Sequence, residues 1–310
     1  MDVIIDKGCG LDVHKETVVA CVMGSGIKKE IRTFSAMTGD LLRLKGWLID
    51  LGITHVAMES TGPYWKPVFN ILEDSFEVIL ANARHIKNVP GRKTDVKDSE
   101  WICKLLRSGL LTASFVPPQA IRDLRDLTRY RQKLIQAVSA EKNRIQKVLE
   151  DANVKLSSVA SDTFGVSAGK MVRAIISGNV DPVSLADLAV GRLKGKKEKL
   201  KEALQGHFRN HHGFMIQASL DHIEYMEKTI AKLDQQINEK LKDYHREREL
   251  LASIPGVKEQ GSSSILAEIG AAMNVFPSEG HLSAWAGMSL GNNESAGKKK
   301  VERQPTAIKI

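Results

Sequence analysis

Cysteine is scarce: Cys9, Cys21 and Cys103 are the only three in 310 residues, with no CxxC spacing and no histidine pair beside them. That pattern excludes a disulfide framework and a cysteine zinc site, and predicts thiols in a reducing compartment. No apolar run approaches the roughly 20 residues that a membrane-spanning helix needs. The opening MDVIIDKGCGLDVHKE lacks the basic flank and long apolar stretch of a signal peptide, so a cytoplasmic protein is expected. No internal repeat is visible. What remains is an ordinary globular composition, 42% hydrophobic and 26% charged, with a formal net charge of +8. The length allows two domains and a helical connection. A basic balance suits a polyanionic partner, because each phosphate neutralised releases counterions.

The first third alternates strand and helix. Val3–Ile5 and Thr17–Met23 read as neighbouring strands, and Ile27–Phe34 as a more polar strand at an edge. Apolar residues at 41, 42, 44, 47, 48 and 51 have helical spacing. A strand at His55–Met58, a helix from Tyr64 to Leu72, a strand at Glu77–Leu80 and a helix from Val96 to Arg107 follow. Three adjacent strands, then helix, strand, helix, strand, is the order of an RNase H-like sheet. A doubly wound nucleotide-binding domain would alternate from its start.

Pro117-Pro118 marks a boundary, which divides the chain into an α/β domain at 1–115, an all-α region at 116–248 and a small helical domain at 249–310. In the middle region Ile121, Leu124, Leu127, Leu134, Val138, Ile145 and Val148 share a stripe, and Lys194–Lys201 is rich in lysine. A long helix is expected from Phe214 to Glu247. Its apolar positions Ile216, Leu220, Ile223, Ile230, Leu233, Ile237 and Leu241 step like a coiled-coil seam, packed either within one chain or between two. The last domain opens on Ser253-Ile254-Pro255-Gly256-Val257 and a helix from Gly261 to Ile269. This reads as a helix-hairpin-helix, in which Gly256 lets a phosphate approach free helical N–H groups, or as a plain helical corner.

Four acids carry the chemistry. Asp12 follows the first expected strand, Glu59 ends the strand after the first helix, and Asp95 and Asp98 lie three apart at a helix start. In an RNase H-like sheet those two strands are neighbours, so the four carboxylates converge. Gathered carboxylates repel unless divalent cations neutralise them, and oxygen ligands favour Mg²⁺ or Mn²⁺. Two such ions stabilise the attacking and leaving oxygens of phosphoryl transfer. Taken singly, Asp98 also reads as a surface residue and Asp95 as a helix cap.

GLDVHKE, AMESTGPYW, ANARHIKNVPGRKTDVKDSEW, SIPGV, LAEIG and LSAWAGMSLGNNESAGKKK occur in the order seen in IS110-family transposases, which the chain resembles over nearly its whole length. The resemblance implies a RuvC-like DEDD domain with Asp12, Glu59, Asp95 and Asp98 as the tetrad, and Arg92 and Lys93 beside it on nucleic acid. It also implies a serine nucleophile at Ser295, in Asn293-Glu294-Ser295-Ala296-Gly297-Lys298, with Lys298, Lys299 and Lys300 holding DNA. From residue types alone that stretch is a flexible basic loop. By the same resemblance the enzyme cleaves DNA through a phosphoserine link at a composite site, acts as a homo-oligomer, and takes its target from a structured RNA.

The tail after Lys300 departs from the family. The resemblance implies Lys-Ser-Gly-Lys-Thr-Thr-His-Gly-Asn-Lys there, and removing one adenine from a sequence chosen to code it yields Lys-Val-Glu-Arg-Gln-Pro-Thr-Ala-Ile-Lys, which is what stands here. A frameshifted copy, ended early and inactive, is therefore expected. Two other classes fit the same residues: a RuvC-like junction nuclease using the carboxylates and water alone, and a non-catalytic nucleic-acid-binding protein.

Overall fold

The computed structural model describes residues 3–60, 62–83, 86 and 98–288, and the backbone of 294–295 and 298–299. Two compact units make up the chain, Met1–Val116 and Pro117–Ile310. Among the described residues no helix is long and apolar enough to cross a membrane.

In the first unit, β1 (Gly8–Val13), β2 (Thr17–Gly24), β3 (Ile27–Ser35), β4 (His55–Glu59) and β5 (Glu77–Ala81) form one sheet in the order β3-β2-β1-β4-β5. The first three strands are an antiparallel meander, and β4 and β5 run parallel to β1. Parallel neighbours require crossovers, which α1 (Thr38–Asp50) and α2 (Trp65–Leu72) supply. The polar strand β3 does lie at the edge.

One expectation fails. The first strand is Gly8–Val13 rather than Val3–Ile5, and Asp12 lies inside it rather than after it. Val3 and Ile4 are exposed. Glycine disfavours strand, so propensity points away from residues 8–13. Tertiary packing overrides it, because the two faces of β1 meet different neighbours. Cys9 and Leu11 join Val18, Ala20, Val22, Val56 and Met58 in a core covered by Leu41, Leu44 and Leu48 of α1 and by Val68, Phe69 and Leu72 of α2. The opposite face carries Gly8, Gly10 and Asp12 on β1, and Ala57 and Glu59 on β4. Against it lies α3 (Asp98–Arg107), whose Trp101, Ile102, Leu105 and Leu106 pack around Ala57 and Ala81. All three cysteines are free and buried, with Cys21 and Cys103 packed together.

The second unit is built on two long helices, α4 (Gln119–Asp151) and a later partner. Between them lie α5 (Val166–Ile176), α6 (Pro182–Asp187) and α7 (Lys197–Ala203). The partner is α8 (Asn210–Lys240). Its apolar seam is used within the chain: Ile216 and Ile223 pack with Val138, Ile145 and Leu149, while Leu233, Ile237 and Leu241 pack with Leu124. The helix expected through Glu247 stops at Lys240. A 3₁₀ turn, Lys242–Tyr244, follows the fully buried Leu241, and a new helix, α9 (His245–Ala252), begins. Anchoring Leu241 lets the chain turn there and run on to α10 (Glu259–Ile269) and α11 (Glu279–Trp285).

Candidate functional site

Strands β1 and β4 pair in parallel from Gly8–His55 to Leu11–Met58. One residue further along each strand stand Asp12 and Glu59, at adjacent carboxyl ends and on the face that α3 covers. Asp98 opens α3. A helix can lie this close to the sheet only over small residues, and a Cβ placed on Gly10 would meet Ser99 O at 2.2 Å and Cys103 N at 2.3 Å.

Asp12 registers the consequence. Burial raises its carboxyl above the usual range, and the charges of Asp98 and Glu59 push the same way. His14 opposes them by charge and by a hydrogen bond, its Nε2 standing 3.1 Å from Asp12 Oδ2. The structure therefore brings Asp12, Glu59 and Asp98 into mutual influence and adds His14. Sequence reasoning overlooked this histidine, although it sits two residues past Asp12, where a turn between strands folds it back. Asp95, Arg92, Lys93 and Lys300 lie outside the described residues.

The donor set at these strand ends is all oxygen, which fits a hard divalent cation. Among the described residues, however, the one group of three with ligand atoms all within 4.8 Å of each other is Asp151, His211 and His212 in the second unit. Its hydrogen bonding argues for a different role. The Arg209 backbone N–H donates to His212 Nδ1 (3.1 Å), so Nε2 carries the ring proton and donates it to Asp151 Oδ2 (2.8 Å). A metal at Nε2 would force that proton onto Nδ1, against the Arg209 N–H. The Arg209 guanidinium also stands 3.7 Å from the same Asp151 oxygen. These groups form a clasp between the end of α4 and the start of α8, reinforced by His207 N–H to Ala152 O at 2.7 Å. With Asp151 and His212 61 positions apart, no local pattern announces it.

Gly256 occupies the turn between α9 and α10 at φ 89°, a left-handed conformation that favours glycine. Val257 N–H to Ile254 O (3.0 Å) closes the turn, and the ladder of α10 begins only with Ser262 N–H to Lys258 O (2.9 Å). The far end of α10 is fastened to α4. Arg129 grips both oxygens of buried Glu268 at 2.6 and 2.7 Å, and Arg125 Nη2 donates to Glu268 O at 2.6 Å. Ser295 and Lys298 face each other across a two-residue antiparallel ladder, beside the pair Glu294–Lys299.

Two family models match the chain. Residues 9–154 match one described as a transposase, of the IS110 DEDD type, and residues 248–308 match one described as the transposase IS116/IS110/IS902 family. The first spans the sheet and α4, and the second begins within α9. No curated protein matches the chain. The chain is thus similar toward its two ends to models of the IS110 group of transposases.

Proposed function

We propose that this chain is an IS110-type transposase that cleaves and rejoins DNA with a carboxylate-held divalent cation and a serine nucleophile. The observation that carries the reading is Asp12: a half-buried carboxylate raised by burial and by its neighbours Asp98 and Glu59. Acids arranged so repel one another unless a cation sits among them. Asp95, three residues before Asp98, completes the proposed ligand set, for Mg²⁺ or Mn²⁺. When bound, such ions offset charge on the attacking and leaving oxygens of phosphoryl transfer. His14 orients the Asp12 carboxylate.

In this reading Ser295 Oγ attacks a DNA phosphorus. An Oγ–P bond forms as the bond to a deoxyribose oxygen breaks; the serine loses its proton, and the departing oxygen gains one. A hydroxyl of the receiving strand then attacks the phosphoserine and restores the serine. Lys298, Lys299 and Lys300, with Arg92 and Lys93, neutralise phosphates, and the turn at Gly256 offers the first N–H groups of α10. Residues 1–115 act as the metal-binding domain of RuvC-like type, 116–248 as the spacer, and 249–310 as the serine-bearing domain. A structured RNA directs target choice, and a second copy of the chain completes the composite site.

The test is incubation with element-end DNA, flanking RNA and Mg²⁺, followed by a denaturing gel for protein–DNA adducts. An adduct lost in both Ser295→Ala and Asp12→Asn supports the reading. Free cleavage products that survive Ser295→Ala move the assignment to a metal-dependent junction nuclease, and salt-sensitive binding without cleavage moves it to a non-catalytic binder. The frameshift expected after Lys300 concerns residues outside those described. A frame-restored chain run beside this one tests it: an adduct in the restored chain alone identifies this copy as disabled.

A further inference from the structure

We infer that Gly10 is a positioning residue of the carboxylate site: its missing side chain sets how closely α3 approaches β1, and thereby how closely Asp98 approaches Asp12. The inference rests on the metal-binding reading above. Gly10 lies in the middle of the central strand, paired with Cys21 on one side and Ala57 on the other. It shares a face with Asp12, two residues on. What a Cβ there would strike is backbone: Ser99 O at 2.2 Å, Cys103 N at 2.3 Å and Cys103 Cα at 2.9 Å. Backbone cannot swing aside as a side chain can, so α3 itself must retreat. Beside this contact the Ser99 hydroxyl is buried and, among the described residues, has no hydrogen-bond partner.

Gly8 provides the contrast. It sits two residues earlier on the same face, yet a Cβ there meets only side-chain atoms, Leu106 Cδ2 at 3.1 Å and Arg107 Cγ at 3.2 Å. Those atoms can yield by changing rotamer. An alanine at 10 moves the helix by roughly 1.3 Å before ordinary carbon contact distances of about 3.5 Å return. Ligand sets tolerate only about 0.5 Å of displacement. Since Asp98 is the first residue of α3, it moves with the helix. Mg²⁺ demands near-octahedral ligands, whereas Ca²⁺ accepts longer and less regular sets, so the two ions respond unequally.

The experiment titrates Mn²⁺, Mg²⁺ and Ca²⁺ separately into the metal-free 310-residue chain by calorimetry, for wild type, Gly8→Ala and Gly10→Ala, with Tm and circular dichroism recorded alongside. The expected result is that Gly8→Ala lowers Tm but keeps Mn²⁺ affinity within about twofold. Gly10→Ala, while still folded, loses at least tenfold in Mn²⁺ affinity and more for Mg²⁺ than for Ca²⁺. If Gly10→Ala does not fold, Ala57→Val supplies the same outward push on α3 from β4 and is expected to show the same ordering of ions. Equal Mn²⁺ affinity in wild type and the folded variant, with only Tm lowered, overturns the inference and leaves the metal reading standing. A wild-type chain that binds none of the three ions overturns the metal reading itself.

Discussion

Asp12, next to last in β1, and Glu59, last in β4, lie one residue beyond the Leu11–Met58 pair of these parallel strands, so that two acids stand side by side where α3 begins with a third. Burial, then the charges of Asp98 and Glu59, raise the Asp12 carboxyl against the pull of His14. A folded-state pKa above the unfolded value means that the folded chain binds the proton more tightly. Asp12 therefore subtracts from stability at pH 7, and the deficit fades as pH falls through the raised value. Asp12→Asn should raise the Tm of the metal-free protein at pH 7 while abolishing DNA cleavage. Because the group is only half-buried, screening limits the gain to less than about 1 kcal/mol. Calorimetry at pH 7 and pH 4 checks this, and a gain that stays constant between them contradicts it.

Glu268 is buried between Arg125 and Arg129 at the junction of α10 and α4. Removing one partner of a buried pair strands the others, so Glu268→Ala should cost about 3–5 kcal/mol by urea unfolding. Glu268→Leu combined with Arg129→Met should lose less than Glu268→Leu alone, since the double change leaves fewer unpaired charges. Strict additivity of the two single changes would show that the contact contributes no coupling.

Asp151 is held below its ordinary value of 3.8, first by the hydrogen bond from His212 and also by the nearby Arg209 guanidinium. A depressed carboxylate contributes stability that is complete above the unfolded pKa and lost as pH falls through the folded one. The Tm difference between wild type and Asp151→Asn should therefore be present at pH 7 and close as pH falls below the ordinary carboxylate range. A difference that persists in acid would mean that the clasp depends on something other than this carboxylate.

Ile145 is fully buried between α4 and α8, whereas Leu42 on α1 is exposed. Ile145→Ala should cost about 2–5 kcal/mol, because the cavity cannot collapse between two rigid helices. Leu42→Ala should stay within about 0.5 kcal/mol of wild type. Denaturant midpoints at unchanged m-value would report both.

Periodicity and local composition alone determined a good deal of this protein. Helical spacing at 41–51 and along 121–148, the polar edge strand at 27–34 and the order of strands and helices were all legible, because burial on one face writes itself into the spacing of apolar residues. The roles expected of Asp12, Glu59 and the tail motifs came from the resemblance to a family, and no spacing pattern shows them. Only the tertiary structure decided that Gly8–Val13 is the central strand, that the α8 seam closes within the chain, and that His14 and Gly10 attend the carboxylates. Each of those depends on what lies across the contact. A spacing pattern records that a face is covered; the identity of the covering element, and how near it comes, is settled by residues tens of positions away.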